Sequence, residues 1–413
     1  MICRSRAVLF GATLLTFSMQ ALAADRRPAE RPGGSLPQSA PAVFTTQLLA
    51  TGGLANDHFG RAIDVSADRA LVSAWDEELR GRVAAYAQDA GGWYEEASLK
   101  AADAAEGDEF GTAVAVDGDT ALIGAPRADI DGHANQGAAY VFEHADGDWT
   151  QVAKLTALAG NAMDSFGASA AVQGDIAVVG AATAERDSAE AVGAVYVYSR
   201  SGGSWTQSAV IQAADWAPAA YFGIAVALSG QSLIVGSPGG TGHSGNGPSA
   251  AYVYTQDGTG WQEQAKLIAH VADPMETIGS SVDLDGDRAV VSGRSSAFVF
   301  ARARGRWRQE ARLTDPAGGE WLVNAVSLCG DRVFVATVNQ TIDGRAGQGA
   351  VHVFQRSGNG WQFLETLTAG DGDIGDGFGT SVSAQGDYAL AGAASDDNVN
   401  GIDAGSAYVY RLP

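Results

Sequence analysis

The feature of this 413-residue chain that most restricts its fold is an internal repeat. One copy begins at Phe110-Gly111, passes through an apolar run to Asp117-Gly118-Asp119, and continues to Gly124-Ala125-Pro126 and a tryptophan, Trp149. The copies start at Phe59, Phe110, Phe166, Phe222, Ile278, Leu322 and Phe378, at spacings of 51, 56, 56, 56, 44 and 56 residues. Such a period indicates an array of one structural unit.

Each copy contains four short β-rich runs separated by turn residues. No run of ten or more residues after the first 23 has a helical apolar period, so an all-β fold is predicted. The first turn is Asp117-Gly118-Asp119 in one copy and Gln173-Gly174-Asp175 in the next. Glycine adopts positive φ at little cost, so this pattern predicts a tight hairpin. Four antiparallel strands in a unit of this length are typical of a propeller blade.

The last copy stops at Pro413, directly after its third strand. A fourth strand is available in Phe44 to Ala50, which precedes the first copy as a fourth strand would. We therefore predict a seven-bladed β-propeller of four-stranded antiparallel blades over residues 43–413, with the N-terminal strand completing the last blade. Closure removes the exposed sheet edge that an open array would leave.

The motifs Phe110-Gly111, Gly118-Asp119 and Gly124-Ala125-Pro126 resemble the FG-GAP repeat, which forms the blades of the integrin α-subunit propeller. The resemblance is to the bacterial, exported variety and covers about residues 44–413. It implies a propeller and implies little about activity, since one fold hosts many functions. Integrin-type repeats often hold calcium in a long acidic loop after the Phe-Gly strand. Here that connection is a tight turn, too short for a calcium loop, so the family's calcium sites are not carried over.

Residues 1–23 read as a signal peptide, with Arg4 and Arg6 before an apolar stretch and Ala21-Leu22-Ala23 as the cleavage site. Residues 24–42 carry four prolines and read as a flexible leader. We expect a monomer that is exported to the periplasm or beyond, with no membrane span in the mature chain. The formal net charge of −22 argues against nucleic-acid and anionic-membrane partners.

The long connections, after strands two and four of each copy, open on one face and are rich in acidic residues. Loops of this kind commonly carry binding sites. The predicted ligand-binding residues are Asp129, Asp131, Asn135, Asp187, Asp396, Asp397 and Asp403. Because oxygen ligands suit calcium, Asp129, Asp131, Asp396, Asn398 and Asn400 are the candidate metal ligands, against the alternative that Asp and Asn stabilise turns. An acidic solubilising rim is a further alternative, and no cofactor is expected.

Other polar positions have structural interpretations. Carboxylates two residues before the Phe-Gly position are expected to accept backbone N–H bonds; they are Asp57, Asp108, Asp164, Glu276, Glu320 and Asp376. Asp64 and Asp283 replace Ala or Ser on the innermost strand, where we expect hydration by water in the axial channel. The histidines share no metal-binding spacing, His352 is expected to pack in place of a tyrosine, and Cys329 is expected to be inert.

The absence of a convergent His, Ser or Cys set favours a non-catalytic binding or scaffold protein that recognises a protein or glycan through the long-loop face. The long loops differ in sequence, which favours one composite site over seven equal sugar sites. Two alternatives stay open: a propeller enzyme acting on a polysaccharide or phosphoester with a carboxylate site on the same face, and an adhesive or structural component of the cell surface.

Overall fold

The computed structural model describes residues 41–74, 80–239, 249–270, 276–319, 321–358 and 360–413. The predicted signal peptide, most of the predicted leader, Glu320 and His243 lie outside these ranges. The described residues form seven four-stranded antiparallel sheets, which are the seven predicted blades. Within these ranges, no helix is long and apolar enough to cross a membrane.

The blades follow one another along the chain, and blades 1 to 6 each run from the inner to the outer strand in sequence order. Blade 1 is β2 (Ile63–Ser66), β3 (Arg69–Ala74), β4 (Arg82–Asp89) and β5 (Gly92–Leu99). Blade 2 is β6 (Ala113–Asp117), β7 (Thr120–Ala125), β8 (Ala138–Ala145) and β9 (Asp148–Leu155). Blade 3 is β10 (Phe166–Gln173), β11 (Ile176–Ala181), β12 (Ala194–Ser201) and β13 (Ser204–Ile211). Blade 4 is β14 (Val226–Ser229), β15 (Ser232–Ser237), β16 (Ala250–Asp257) and β17 (Gly260–Leu267).

The remaining three blades include the pair that lacks a Phe-Gly start. Blade 5 is β18 (Ile278–Asp285), β19 (Arg288–Gly293), β20 (Ala297–Ala303) and β21 (Arg306–Leu313). Blade 6 is β22 (Ala325–Cys329), β23 (Arg332–Thr337), β24 (Ala350–Ser357) and β25 (Gly360–Leu367). Blade 7 is β26 (Phe378–Gln385), β27 (Tyr388–Ala393), β28 (Ser406–Arg411) and the N-terminal β1 (Val43–Leu48).

The ring closes as the sequence predicts. β1 pairs antiparallel with β28, with Phe44 opposite Tyr410 and Gln47 opposite Tyr408. The Phe44 ring lies 5.9 Å from the Tyr410 ring in an edge-to-face contact. The first and last parts of the chain therefore share one sheet, and blade 7 has the same four strands as the others.

The predicted tight turns join neighbouring blades on one face, here called the turn face. In six of the seven turns, all but that of Cys329, the first turn residue accepts a hydrogen bond from the amide of the second turn residue of the next blade. Asp117 accepts from Gly174 N at 2.6 Å, and Gln173 accepts from Gly230 N at 2.8 Å. The remaining acceptors are Ser66 for Gly118, Ser229 for Gly286, Asp285 for Gly330 and Gln385 for Ala67. These side chains tie the turns into a ring that the backbone sheets alone would not provide.

The core of every blade except blade 5, which has Ile278 at this place, is built on its first aromatic residue. Phe110 packs edge to face on Tyr140, with ring centroids 5.6 Å apart, and blades 3, 4 and 7 repeat this contact. In blade 6 the sequence assigns this place to Leu322, and that assignment is wrong. Trp321 is buried there and stacks on His352 at 4.7 Å. Trp321 lies four residues before Ala325, the first residue of β22, whereas Phe110 lies three residues before Ala113 of β6, so the approach to the inner strand is one residue longer in blade 6.

The repeated tryptophans lie at the seams between blades. Trp149 Nε1 donates to Glu96 of blade 1 at 2.9 Å, and Arg69 lies over the Trp149 ring at 5.5 Å. Trp361 Nε1 likewise donates to Glu310 of blade 5. Each of these indoles covers apolar surface and anchors one blade to the previous one, so they are structural residues.

Candidate functional site

The face opposite the turns, here called the loop face, carries the long connections that the sequence analysis selected. Seven of the thirteen exposed large hydrophobic residues of the described chain lie there: Leu54, Leu158, Met163, Ile268, Ile374, Val399 and Ile402. The other six lie on the outer strands, and the turns of the turn face carry none of those in the described ranges. Exposed apolar side chains therefore distinguish the loop face from the turn face.

Four of the long loops share one backbone design. Each folds back on itself through a small bridge, between Ile130 and His133 in blade 2 and between Asn398 and Gly401 in blade 7. Blades 3 and 6 repeat the bridge at Arg186–Ala189 and Ile342–Arg345. These loops differ in sequence. They share a frame and differ in the side chains that it displays.

The predicted loop residues lie in three separate loops and do not form one cluster. Asp129 Oδ1 accepts from Asn135 N at 2.9 Å within the blade-2 loop, and Asp397 Oδ1 accepts from Asp403 N at 2.9 Å in blade 7. Asp131 and Asp187 are exposed turn residues with φ of 50° and 51°. The bonds of Asp129 and Asp397 hold the loop frame, because their carboxylates accept backbone amides across the loop.

The candidate metal ligands of blade 7 are engaged in the same way. Asn398 Nδ2 donates to Gly405 O at 2.8 Å, and its Oδ1 accepts from Asn400 N. Asn400 Nδ2 reaches Ala50 O at 3.2 Å and thereby connects the loop to the segment after β1. Within the described ranges, no group of three or more His, Cys, Asp or Glu side chains has a metal-binding arrangement.

Asp396 differs from its neighbours because it is buried. Ser406 Oγ donates to its carboxylate, and Gln47 Nε2 donates to the same oxygen at 3.4 Å. Burial, together with the nearby carboxylates of Asp376 and Asp371, raises the pKa of Asp396 to about 6. This side chain therefore belongs to the interior of blade 7, where a proton can neutralise it.

The residue paired with Tyr408 on the neighbouring strand helps to explain the raised pKa of Asp396. The same place is held in blades 2 and 4 by Lys154 and Lys266, each of which pairs with an aspartate. In blade 7 it is held by Gln47. An uncharged amide therefore stands where those two blades place an ammonium group, so the carboxylates of blade 7 receive less compensation.

The carboxylates before the Phe-Gly position have the predicted structural role. Asp57, Asp108 and Asp164 each accept from the amide three residues earlier, at 2.6, 2.9 and 2.7 Å. Asp376 accepts from Asp373 N in the same way. Glu276 instead accepts from Ser295, at 2.7 Å to its hydroxyl. Burial raises the pKa values of Asp108, Asp164 and Asp376. These residues shape the turn into each inner strand.

Asp64 and Asp283 are buried between inner strands and accept hydrogen bonds from protein groups. Asp64 accepts from Val116 N of blade 2 at 2.8 Å and from Ser383 Oγ of blade 7 at 2.9 Å. Asp283 accepts from Leu328 N of blade 6 at 2.7 Å. Protein donors thus take the role that the sequence analysis assigned to channel water, and the two carboxylates join adjacent blades near the axis.

His352 packs in the core in place of a tyrosine, as the sequence predicts. His352 is buried, lies 3.1 Å from Thr366 Oγ1 and packs on Trp321, so it is a core residue. Burial lowers the pKa of His352 to about 4. Cys329 lies in its turn with Sγ 3.9 Å from Gly386 O. His58 and His133 lie in different loops, and their ring nitrogens contact backbone carbonyls.

The apolar side chains of the loop face were not among the predicted site residues, because that prediction was based on charged and nucleophilic groups. Leu54, Val399 and Ile402 are the examples at the junction of blades 7 and 1. A comparison of equivalent loop positions among the repeats would have found them, because the other copies carry small or polar residues there.

Solved structures with a similar fold share little sequence with this chain. A chain of the mitotic checkpoint complex has a TM-score of 0.54 at 11% identity, covering 93% of this chain and 99% of that one. A protein from Lactobacillus plantarum has a TM-score of 0.52 at 14% identity, covering 80% and 90%. The periplasmic gluconolactonase of Pseudomonas aeruginosa has a TM-score of 0.50 at 16% identity, covering 84% and 99%. At these identities the likeness concerns the fold alone.

The search of curated proteins gives no significant match. The FG-GAP repeat family matches residues 43–87, 93–142, 149–198, 205–254 and 361–410, which is more than half of the chain. The region between residues 254 and 361 contains blade 5 and the first three strands of blade 6, where Ile278 and Trp321 stand in place of the first phenylalanine. By its repeats and its closed ring of seven blades, the chain belongs to the FG-GAP repeat family.

Proposed function

We propose that this propeller is an exported, non-catalytic binding or scaffold protein that recognises a protein or glycan through its loop face. The observation that carries the proposal is the unequal distribution of exposed apolar side chains between the two faces. The turn face is closed by turn-to-turn hydrogen bonds, whereas the loop face displays variable side chains on a repeated frame. A rigid scaffold with variable loops suits recognition.

The non-catalytic part of the proposal rests on how the reactive groups are used. The carboxylates of the loops accept amides of their own turns, and the buried ones join strands or blades. His352 is held in the core, and His133 in its loop. Acid–base catalysis needs such groups to converge on one point within hydrogen-bond reach of a substrate. The carboxylates and imidazoles named above are committed to the fold instead.

The test compares matched charge changes on the two faces. One variant carries Asp131→Asn, Asp187→Asn and Asp397→Asn on the loop face, and its control carries Asp89→Asn, Asp146→Asn and Asp148→Asn on the turn-face hairpins. Asparagine tolerates the positive φ of Asp131, Asp187 and Asp146. Affinity capture and a glycan array are performed on the mature protein, with and without a chelator.

The loop-face variant should bind a captured partner more weakly than wild type by roughly three-fold or more, because exposed charges contribute to association. The turn-face variant should bind as wild type does. A partner that binds the loop-face variant unchanged and loses affinity for the control would overturn the assignment of the face. Turnover of a captured glycan would contradict the non-catalytic assignment, and sensitivity to the chelator would add a metal to the site.

A further inference from the structure

The tip of the blade-7 loop differs in chemistry from the same loop in other blades. The first tip residue is Asp131 in blade 2, Asp187 in blade 3 and Asp343 in blade 6, and all three have positive φ. In blade 7 this residue is Val399, whose side chain is 88% exposed. The positive φ lies at Gly401 instead, at 134°, so a β-branched residue fits the turn without strain.

Two more apolar replacements lie at the same junction. Ile402 stands where the other loops have Ala134, Glu190 and Ala346, and it is 66% exposed. Leu54 stands where the preceding segments of blades 2, 3 and 7 have Ala105, Asn161 and Asp373, and it is 55% exposed. Leu54, Val399 and Ile402 are called the seam patch below.

Direct hydrogen bonds hold the two segments of the seam patch together. Asn56 N donates to Ile402 O at 2.9 Å, and Asn400 Nδ2 donates to Ala50 O at 3.2 Å. Gly401 lies so close to Ala55 that a side chain there would meet the Ala55 Cβ at 2.8 Å. The patch is therefore fixed in place by the backbone of both chain ends.

The apolar side chains of the seam patch are not required by the loop frame. Blades 2, 3 and 6 close the same loop with small or polar residues at the matching positions. Three aliphatic side chains that are exposed together, and that the fold does not need, indicate a surface that is covered by a partner.

The charges around the seam patch define that partner. Asp397 is exposed beside Val399, and Asp403 follows Ile402 directly. The whole chain has a formal net charge of −22. We propose, resting on the binding function above, that the seam patch docks a segment of a partner protein that presents aliphatic or aromatic side chains flanked by lysine or arginine. Opposite charge speeds encounter, and the apolar side chains supply the contact area.

Other occupants fit less well. A second copy of this chain brings the same negative charge, and an anionic lipid surface is repelled by it. Sugars commonly stack on exposed aromatic rings, whereas the seven exposed large hydrophobic residues of the described loop face are aliphatic or, at Met163, a thioether.

The experiment selects phage-displayed random 12-residue peptides on the full mature protein and measures the binding of the selected peptides by fluorescence anisotropy. The seam variant carries Leu54→Asn, Val399→Ser and Ile402→Ala, two of which introduce residues found at the matching positions. The control, Leu158→Ser with Ile268→Ser, removes exposed aliphatic side chains from the loop face elsewhere. Circular dichroism verifies that each variant is folded.

We expect the selected peptides to combine apolar and basic residues. They should bind the seam variant at least ten-fold more weakly than wild type and bind the control as wild type does. Asp397→Asn with Asp403→Asn should weaken binding at low salt more than at high salt.

Four outcomes would overturn the proposal. These are failure to enrich any peptide, equal binding to wild type and the seam variant, a wild-type dimer in light scattering that the seam variant does not form, and binding to phosphatidylglycerol vesicles that depends on the seam patch. If only the control, Leu158→Ser with Ile268→Ser, weakens peptide binding, binding through the loop face is supported and docking at the seam patch is refuted. If both variants bind as wild type does, both proposals fail.

Discussion

Gln385 in blade 7 accepts a hydrogen bond from the backbone amide of Ala67 in blade 1 at 3.0 Å, although the two residues are 318 positions apart in sequence. This is the turn-to-turn contact that completes the ring on the turn face. The strands β26 to β28 are held to blade 1 by non-covalent contacts of this kind, whereas consecutive blades elsewhere are also joined directly by the chain.

Replacing Gln385 by Met should therefore weaken ring closure. The variant keeps the length of the side chain and removes the acceptor of Ala67 N, so we expect a loss of about 1 kcal/mol in the free energy of unfolding. Denaturant unfolding measures this loss. The matched control is Gln173→Met, which removes the equivalent bond to Gly230 N between blades 3 and 4. Hydrogen exchange in β1 and β28 should accelerate in Gln385→Met alone; equal acceleration in both variants would contradict a special role for the seam.

The acceptor function of Asp283 can be separated from its charge. Asp283→Ala removes the acceptor of Leu328 N and Ser327 Oγ, and we expect it to cost about 2 kcal/mol. Asp283→Ser should cost less than half as much, because Ser327 and Ser383 at the same repeat position accept from the next blade at 3.1 and 3.3 Å. Thermal and denaturant unfolding of the two variants are compared. A serine variant as unstable as the alanine variant would show that the negative charge itself is required.

Asp396 should make the fold more stable in mild acid. Burial raises its folded pKa to about 6, above the ordinary value of 3.8, so the folded state binds a proton that the unfolded state lacks between these pH values. The contribution to stability therefore grows as pH falls from about 6 towards 4. Asp396→Asn should raise the free energy of unfolding at pH 7 by about 1–3 kcal/mol and remove this gain on acidification. Unfolding at pH 5 and pH 7 tests it, and an unchanged pH dependence would refute it.

His352 should act in the opposite direction. Burial lowers its folded pKa to about 4 from 6.5, so the unfolded state binds more protons between these values. Stability is therefore lost as pH falls from 6.5 towards 4. His352→Phe should abolish this loss, and phenylalanine already fills the same position as Phe298 in blade 5. Unfolding curves measured between pH 4.5 and 7 test this prediction. The loss in the free energy of unfolding that the variant should remove is ~2 kcal/mol. If His352→Phe loses as much stability in acid as wild type does, a group other than His352 binds the proton responsible.

The sequence predicts the fold well because the same motif order occurs in all seven repeats. Glycine before Asp175 or Asp287 indicates a hairpin locally, and seven ordered copies specify the ring. The missing strand of blade 7 follows from counting strands, and β1 fills that place. Local pattern, however, does not show that Trp321 rather than Leu322 enters the core, because that choice depends on the length of the approach to β22.

The candidate site was less predictable, because a residue type does not reveal what its side chain bonds. The sequence predicts Asp129 and Asp397 as ligand-binding residues, whereas in the fold each accepts a hydrogen bond from the backbone amide six residues later. Asp396 and Asp397 are neighbours of the same type, yet one is buried and the other exposed. The partners of these carboxylates are set by backbone geometry that only the assembled loop provides.

The seam patch has a consequence for quality control of the protein. Leu54 lies near one end of the chain and Ile402 near the other, and β1 must first pair with β28 before they meet. A fragment released early from the ribosome, or one clipped ahead of Gly401, has no means of displaying this surface. Recognition by the partner would thus report that β1 has paired with β28 and that the circle has been joined.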